Sequence, residues 1–373
     1  MFRLSNLIKS TLEDQKSRTL NGSIMIWNFT NRCNLLCHHC YSKADASKKD
    51  TLTLEEIKET IGRLKAGGVN FVIFSGGEPL LRSDIFEIAE CMKENNIMTY
   101  LSTNGMYVKE HNVDRIIDTF NYIGISIDGI EEIHDQFRGQ VGAYKKSIAA
   151  IKLIQAHGGN VGIRFTITKE TQDSFYKMFD LVEELNVDKL YISHLVYSGR
   201  GEDNLSIDIT KEQRREFVDF IINKAFEYYE NDSNIDLVTG NMEMDAVMLL
   251  NRFKEQYPNK ADILEKKLKA WAGNSAGNRL GNMDWAGNVK PDPFFPFNVG
   301  NYLETPFNEI WTSKENDLLN KLRQTPRQIE GKCASCDYID ICNGGSRSRA
   351  YAITGNLWDE DPSCYLTKEE MRR

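Results

Sequence analysis

From residue 23 to about residue 195, short apolar runs alternate with longer stretches of helical period. The runs at 23–29, 70–75, 97–102, 122–127, 160–167 and 188–195 are rich in β-branched and aromatic residues and read as strands. The segments between them, near 53–66, 83–95, 111–119, 143–157 and 173–185, carry apolar residues at helical spacing. The first opens with Thr53-Leu-Glu-Glu56, the pattern of a capping box, and closes at Gly67-Gly68. Strands alternating with helices predict a parallel sheet with right-handed crossovers, either open or rolled into a complete or partial barrel. In both forms ligands bind at the C-terminal ends of the strands.

Beyond residue 200 the pattern turns helical, over Lys211–Glu230, Met242–Gln256 and Ala261–Trp271. A Gly- and Asn-rich break at 273–282 then precedes a final stretch of short strands and turns. The expected division is a short N-terminal helix (1–22), an α/β unit (23–200), a helical connector (201–272) and a small C-terminal module (273–373).

Charge and composition narrow the function classes. A net charge of -8 over 373 residues argues against a general nucleic-acid surface. No run of 18 apolar residues marks a membrane span, and the N-terminal apolar stretch is too short for a signal peptide. With no export signal, the 8 cysteines imply a reducing, cytoplasmic setting and metal ligation rather than disulfides. Seven fall into two groups; Cys91 stands alone in a helical pattern and reads as a core thiol.

Cys33, Cys37 and Cys40 follow the first strand with spacing C-x3-C-x2-C. Three thiolates so close can hold three corners of an iron–sulfur cluster and leave one iron open for a ligand. The competing reading is a zinc site completed by a distant fourth ligand. Cys333, Cys336, Cys342 and Cys364 form the second group. Four thiolates close a site, so this one is a fully ligated cluster or a structural zinc.

The first group, placed after a first strand, resembles the radical S-adenosylmethionine (radical SAM) superfamily. The resemblance implies a partial (β/α)6 TIM-like barrel and a [4Fe-4S] cluster whose open iron binds the amine and carboxylate of SAM. It also implies reductive cleavage of SAM to a 5′-deoxyadenosyl radical. Ser75-Gly76-Gly77-Glu78-Pro79 is similar to the family's GGEP segment, which holds the SAM amine; glycine suits a close approach of backbone to ligand. By the same resemblance Ser102, Asn104, Ser126 and Asp128 face the ribose and methionine parts, and Arg138 pairs the SAM carboxylate. His39 either stacks near the adenine or simply packs.

The second cysteine group resembles a SPASM-like auxiliary module and implies one auxiliary [4Fe-4S] cluster. Asp292 stands where such modules often carry a further cysteine, as a ligand, a turn residue or a substrate-facing group. Other segments, among them Tyr197-Ser-Gly-Arg-Gly201, Val289-Lys-Pro-Asp-Pro-Phe294 and Trp358-Asp-Glu-Asp-Pro-Ser-Cys-Tyr-Leu366, are similar to the heme d1 biosynthesis branch of the superfamily. That branch implies modification of propionate side chains on 12,18-didecarboxysiroheme, with electrons from a low-potential donor such as ferredoxin or flavodoxin. A sister group, the siroheme-route deacetylase, and the peptide-modifying maturases are the alternatives. A polycarboxylate substrate on an acidic protein demands a local inversion of charge. Arg200, Arg279, Lys290, Arg347 and Arg349 are candidates to supply it, against ordinary salt-bridged roles. His194, at a strand end, is a candidate substrate or iron contact, or a packed core histidine.

Overall fold

The computed structural model describes residues 1–16 and 22–372. The helix expected over 1–22 is seen as Leu4–Leu12; its stretch at 17–21 lies outside the described residues. Among the described residues eleven strands form one sheet: β1 (Phe2–Arg3), β2 (Ser23–Asn28), β3 (Val69–Ser75), β4 (Met98–Thr103), β5 (Tyr122–Ser126), β6 (Val161–Ile167), β7 (Lys189–His194), β8 (Asp236–Gly240), β9 (Leu280–Met283), β10 (Asn288–Lys290) and β11 (Gly300–Asn301). Their order is β1-β8-β7-β6-β5-β4-β3-β2-β9-β10-β11. From β8 through to β9 every pairing is parallel; β1, β10 and β11 are antiparallel. This is the α/β, mostly parallel architecture that the alternating pattern implies.

All six expected strands form. The stretch read as a helical connector differs, because it contains β8. Five residues, Asp236–Gly240, sit between two helices, Lys211–Glu230 and Asp245–Gln256. So short a run carries little periodic signal, and it is the hydrogen bonding to β7 that makes it a strand. The C-terminal module is also less separate than its sequence suggests, since β9 pairs directly with β2.

Local chemistry explains the helix starts. Thr53 Oγ1 accepts from Glu56 N at 3.3 Å, and Glu56 Oε2 accepts from Thr53 N at 2.8 Å. This is the reciprocal cap its sequence predicts, and such caps stabilise a helix by about 1 kcal/mol. Thr210 and Gln213 repeat it at the head of Lys211–Glu230. The sheet's outer face buries Ile57, Ile61, Ile88, Ile116, Ile151 and Val182 from the crossover helices. Each such side chain contributes roughly 1.5–3 kcal/mol by leaving water. Trp27 is fully buried and stacks on Phe29 at 4.6 Å, closing the core beneath the start of the first cysteine loop.

Inside the curve, inward positions follow a different rule. A Cβ on Gly124 of β5 would stand 2.9 Å from Arg164 Cδ of β6. On Gly162 of β6 it would stand 2.2 Å from the Tyr122 hydroxyl, and on Gly240 of β8 1.9 Å from that of Tyr191. Three glycines therefore make room for three long polar-tipped side chains on neighbouring strands. These side chains share the lumen with aliphatic ones such as Ile26, Ile73 and Leu280.

Candidate active site

The loop after β2 carries the first three cysteines and is pinned at many points. Cys33 N donates to Asp45 O at 3.0 Å, Leu36 N to Arg138 O at 3.2 Å, and His38 N to Phe137 O at 3.0 Å. The turn after β3 lies against it: Gly77 N donates to Thr30 O at 2.7 Å and Glu78 N to Arg32 O at 2.9 Å. Gly76 has φ +142°, and a Cβ there would sit 2.4 Å from Thr30 O; one on Gly77 would sit 2.2 Å from Arg32 O. The glycines are thus required first by the approach of two protein loops to each other.

A cavity of about 220 Å³ opens at these strand ends, lined by Cys33, Cys37 and Cys40 together with Gly76, Gly77, Glu78, Ser102, Asn104, Ser126 and Arg138. The structure brings these expected residues together. Pro79 and Asp128 do not line the cavity. Pro79 starts the short turn Pro79–Leu81. Asp128 is fully buried behind it, where it accepts from Thr166 N at 2.6 Å and forms an ion pair with Arg138. It is expected to face the ligand; instead it holds Arg138, which lines the cavity.

Electrostatics sort the lining groups. Burial pushes the Cys33 thiol up to about 12, with Glu78 adding to the rise. Burial also raises Cys37, against the pull of the Arg138 guanidinium 3.6 Å from its sulfur. Unligated, both thiols hold their protons, so metal binding here must displace them. Glu78 is 1 % exposed, and its carboxylate accepts from Thr103 Oγ1 (2.7 Å), Leu80 N (3.1 Å) and Asn104 N (2.8 Å). Burial raises its pKa while those donors lower it. Asn104 Nδ2 donates to Asn34 Oδ1 at 2.9 Å, tying β4 to the cysteine loop. The His39 ring stacks on Phe137 at 4.8 Å while still lining the cavity, and burial lowers its pKa to about 4, leaving it neutral.

Most of the remaining polar lining comes from residues to which the sequence assigned no role, Asp292 and His194 excepted. Tyr41 donates to Asn28 Oδ1 at 2.9 Å and meets Phe294 edge-on at 5.3 Å. Arg164, Thr166, Tyr191, Ser193, Asn241, Glu243, Asn274 and Asp292 complete this half. Arg164 had a sequence signal: it is the lone charge inside an otherwise apolar strand, Val161–Ile167. Asp292 accepts from Phe294 N at 2.8 Å as a turn residue and lines this cavity, not the four-cysteine one. His194 also lines it, 1 % exposed, with no partner for either ring nitrogen among the described residues. Burial holds it neutral, far below the usual histidine range.

The basic residues expected to meet substrate are mostly occupied elsewhere. Arg200 does line the cavity, but its Nε donates to Cys37 O at 2.8 Å and its Nη1 to Ala44 O at 3.1 Å. Arg347 and Arg349 are fully buried away from the cavity lining. Arg347 donates to the carbonyls of Gly344, Leu357 and Asp359. Arg349 pairs with Asp361 at 2.8 Å and donates to Leu195 O at 3.0 Å. Arg279 donates to Trp271 O, and Lys290 lies 3.8 Å from Asp284. Arg200 thus braces the cysteine loop, while Arg279, Lys290, Arg347 and Arg349 serve the module and do not line the cavity.

Cys333, Cys336, Cys342 and Cys364 surround a second, small cavity of about 20 Å³, walled by Met244, Val247, Ile339, Leu366 and Met371. Burial pushes the Cys333 thiol up to about 12, and Cys342 well above its ordinary value. Among the described residues no three His, Cys, Asp or Glu side chains close on a point fit for a single metal ion. Each cysteine group instead borders a cavity. All-thiol donor sets suit an iron–sulfur cluster and also occur at structural zinc. Cys91, expected in the core, is half-buried at its edge.

Comparison with known proteins gives the same picture. Residues 27–182 match the model of the radical SAM superfamily. The chain is 40% identical, over 99% of its length and 93% of the relative's, to a protein of Dinoroseobacter shibae named pre-heme d1 synthase. It is 36% identical, over 93% of its length and 89% of the relative's, to the Fe-coproporphyrin III synthase of Methanosarcina barkeri. Among solved structures, Streptococcus suis SuiB bound to S-adenosylmethionine superposes with a TM-score of 0.71 at 16% identity, covering 93% of this chain and 78% of that one. The structure of anSMEcpe with bound AdoMet and a peptide gives 0.70 at 19%, covering 94% and 95%. At such identities these two structures speak for the fold alone.

Proposed function

The chain belongs to the radical SAM superfamily, and on that premise we propose that it modifies propionate side chains of 12,18-didecarboxysiroheme on the way to heme d1. The observation that carries the reading is the 40% identity to pre-heme d1 synthase along 99% of the chain. The cavity supports the chemistry, with three cysteines and a glycine turn on one side and a polar half beyond them.

When bound, a [4Fe-4S] cluster with an open iron, together with SAM, supplies a 5′-deoxyadenosyl radical. In this reading Cys33, Cys37 and Cys40 are its protein ligands. Gly76 and Gly77 shape the rim for the methionine part, Glu78 accepts from the SAM amine, and Arg138, held by Asp128, pairs its carboxylate. Ser102, Asn104 and Ser126 offer hydrogen bonds to the remaining polar atoms. Phe137, Leu35 and Met106 keep water from the cysteine side. The four C-terminal cysteines would hold one auxiliary [4Fe-4S] cluster. The electron would come from a low-potential carrier such as ferredoxin or flavodoxin, in a reducing cytoplasm. No described helix is long and apolar enough to cross a membrane.

The likeness to Fe-coproporphyrin III synthase supports a second reading, removal of acetate groups. Iron coproporphyrin retains its propionates, so an enzyme that makes it acts at other substituents. Anaerobic incubation with didecarboxysiroheme, SAM and dithionite, followed by mass spectrometry, separates the two. The proposal expects 5′-deoxyadenosine and a mass change at the propionates. Loss of acetate alone would move the assignment to the deacetylase, and an unchanged tetrapyrrole would remove both.

A further inference from the structure

Of the arginines that line the cavity, Arg138 is paired with Asp128 and Arg200 grips the cysteine loop. Arg164 has no hydrogen-bond or ion-pair partner among the described residues, although it stands inside the barrel. Its setting is built. The stem occupies space that Gly124 leaves open, where a Cβ would approach Cδ to 2.9 Å. The guanidinium carbon lies 4.8 Å from the centre of the Tyr191 ring. Tyr191 is itself seated by Gly240, at which a Cβ would meet its hydroxyl at 1.9 Å. Strands β5, β6, β7 and β8 thus cooperate to hold one stacked Arg–Tyr pair.

Stacking on a ring leaves the N–H groups of a guanidinium free, because the contact is with the π face. Arg164 is half-buried, so its unpaired guanidinium is open to a planar anion that enters the cavity, where water competes less than at the surface. Other parts of the lining carry the opposite charge. Glu243 Oε2 is buried with no partner, and Asp292 is 7 % exposed. An ionised carboxylate is therefore drawn toward Arg164 and repelled from that pair, which gives the cavity an electrostatic direction.

We propose that Arg164 anchors one carboxylate side chain of the substrate and so decides which edge of the substrate faces the cysteines. The inference rests on the tetrapyrrole reading above and adds to it a specificity-determining residue. Arg138, 3.6 Å from the Cys37 sulfur, is the arginine placed for the carboxylate of SAM. Arg164 bears electrostatically on Tyr41, Tyr122, Tyr191 and Lys189, the last lying 4.0 Å from the centre of the Tyr122 ring.

The test is equilibrium binding, under anaerobic conditions, of didecarboxysiroheme and of its methyl ester to reconstituted wild type, Arg164→Gln and Arg164→Lys, with SAM binding measured in parallel. Arg164→Gln is expected to weaken the free acid by about tenfold or more and to leave SAM affinity unchanged. Wild type should prefer the acid to the ester, and Arg164→Gln should not. Equal tetrapyrrole binding by wild type and Arg164→Gln overturns the proposal, as does a loss confined to SAM. If Arg164→Gln loses both ligands, Arg164→Lys decides: reduced acid-over-ester preference supports the anchor, and undiminished preference overturns it. If wild type binds no tetrapyrrole, the functional reading itself fails and the anchor falls with it.

Discussion

Arg200 Nε donates to the backbone oxygen of Cys37 at 2.8 Å, across 163 residues of sequence. The same guanidinium donates to Ala44 O at 3.1 Å, and Arg200 N donates to Cys40 O at 3.0 Å. The segment after the last expected barrel strand therefore closes over the cysteine loop after the first. The ends of the barrel unit meet at the cysteines.

Arg200→Ala removes two charge-assisted hydrogen bonds from that loop. Bonds of this kind contribute about 1.5–3 kcal/mol each at most. Iron and sulfide per chain after reconstitution should fall, with Arg200→Lys falling less. Full iron content in Arg200→Ala would mean the clamp is dispensable.

Gly77→Ala should fail locally rather than globally. Its Cβ would lie 2.2 Å from Arg32 O, so the β3 turn and the cysteine loop must separate. The expected outcome is a chain of near-normal far-UV circular dichroism with SAM affinity reduced by tenfold or more, on the order of 1.4 kcal/mol or above. Unaltered SAM binding would show that this close approach is not needed.

Arg349 and Asp361 form a fully buried ion pair, 0% and 1% exposed, that ties the C-terminal module to the end of β7. Removing one partner leaves a buried charge, at a cost of about 3–5 kcal/mol. Arg349→Met should therefore lower the urea midpoint clearly, and Arg349→Met with Asp361→Leu should recover part of the loss. A double variant as damaged as the sum of its parts would argue against the pair as a unit.

Burial pushes the Asp292 carboxyl up to about 6 in the folded chain, from an ordinary value near 3.8. A raised folded value means that its contribution is fully present below pH about 4 and is lost as pH rises through about 6. Asp292→Asn removes that loss, so its stability relative to wild type should rise between pH 4 and pH 7, by an amount on the order of 3 kcal/mol at most. Denaturation of the metal-free chain across that range checks it; parallel curves for the two proteins would contradict the shift.

Much of this was legible in the chain. The six strands and the Thr53 cap follow from local pattern and spacing, and the clustering of Cys33, Cys37 and Cys40 with Gly76, Gly77 and Glu78 from the family resemblance. What was missed depends on contacts between distant residues. The strand Asp236–Gly240 owes its state to β7. The buried settings of Arg347 and Arg349 are made by carbonyls that only the folded module brings to them. An arginine's charge suggests a ligand contact in sequence, yet it can equally satisfy orphan carbonyls, and only the fold distinguishes the two. Arg164 is the converse case, an arginine within a strand that folding leaves with no hydrogen-bond or ion-pair partner among the described residues.

In the proposed function Cys33, Cys37 and Cys40 hold a cluster with one iron open to SAM. Electron paramagnetic resonance of the dithionite-reduced, oxygen-free protein, recorded with and without SAM, tests this directly. The expected result is a signal from this cluster that changes on adding SAM and is absent in Cys37→Ala, with the auxiliary signal retained. A spectrum indifferent to SAM, or zinc in place of iron at these three cysteines, would contradict it.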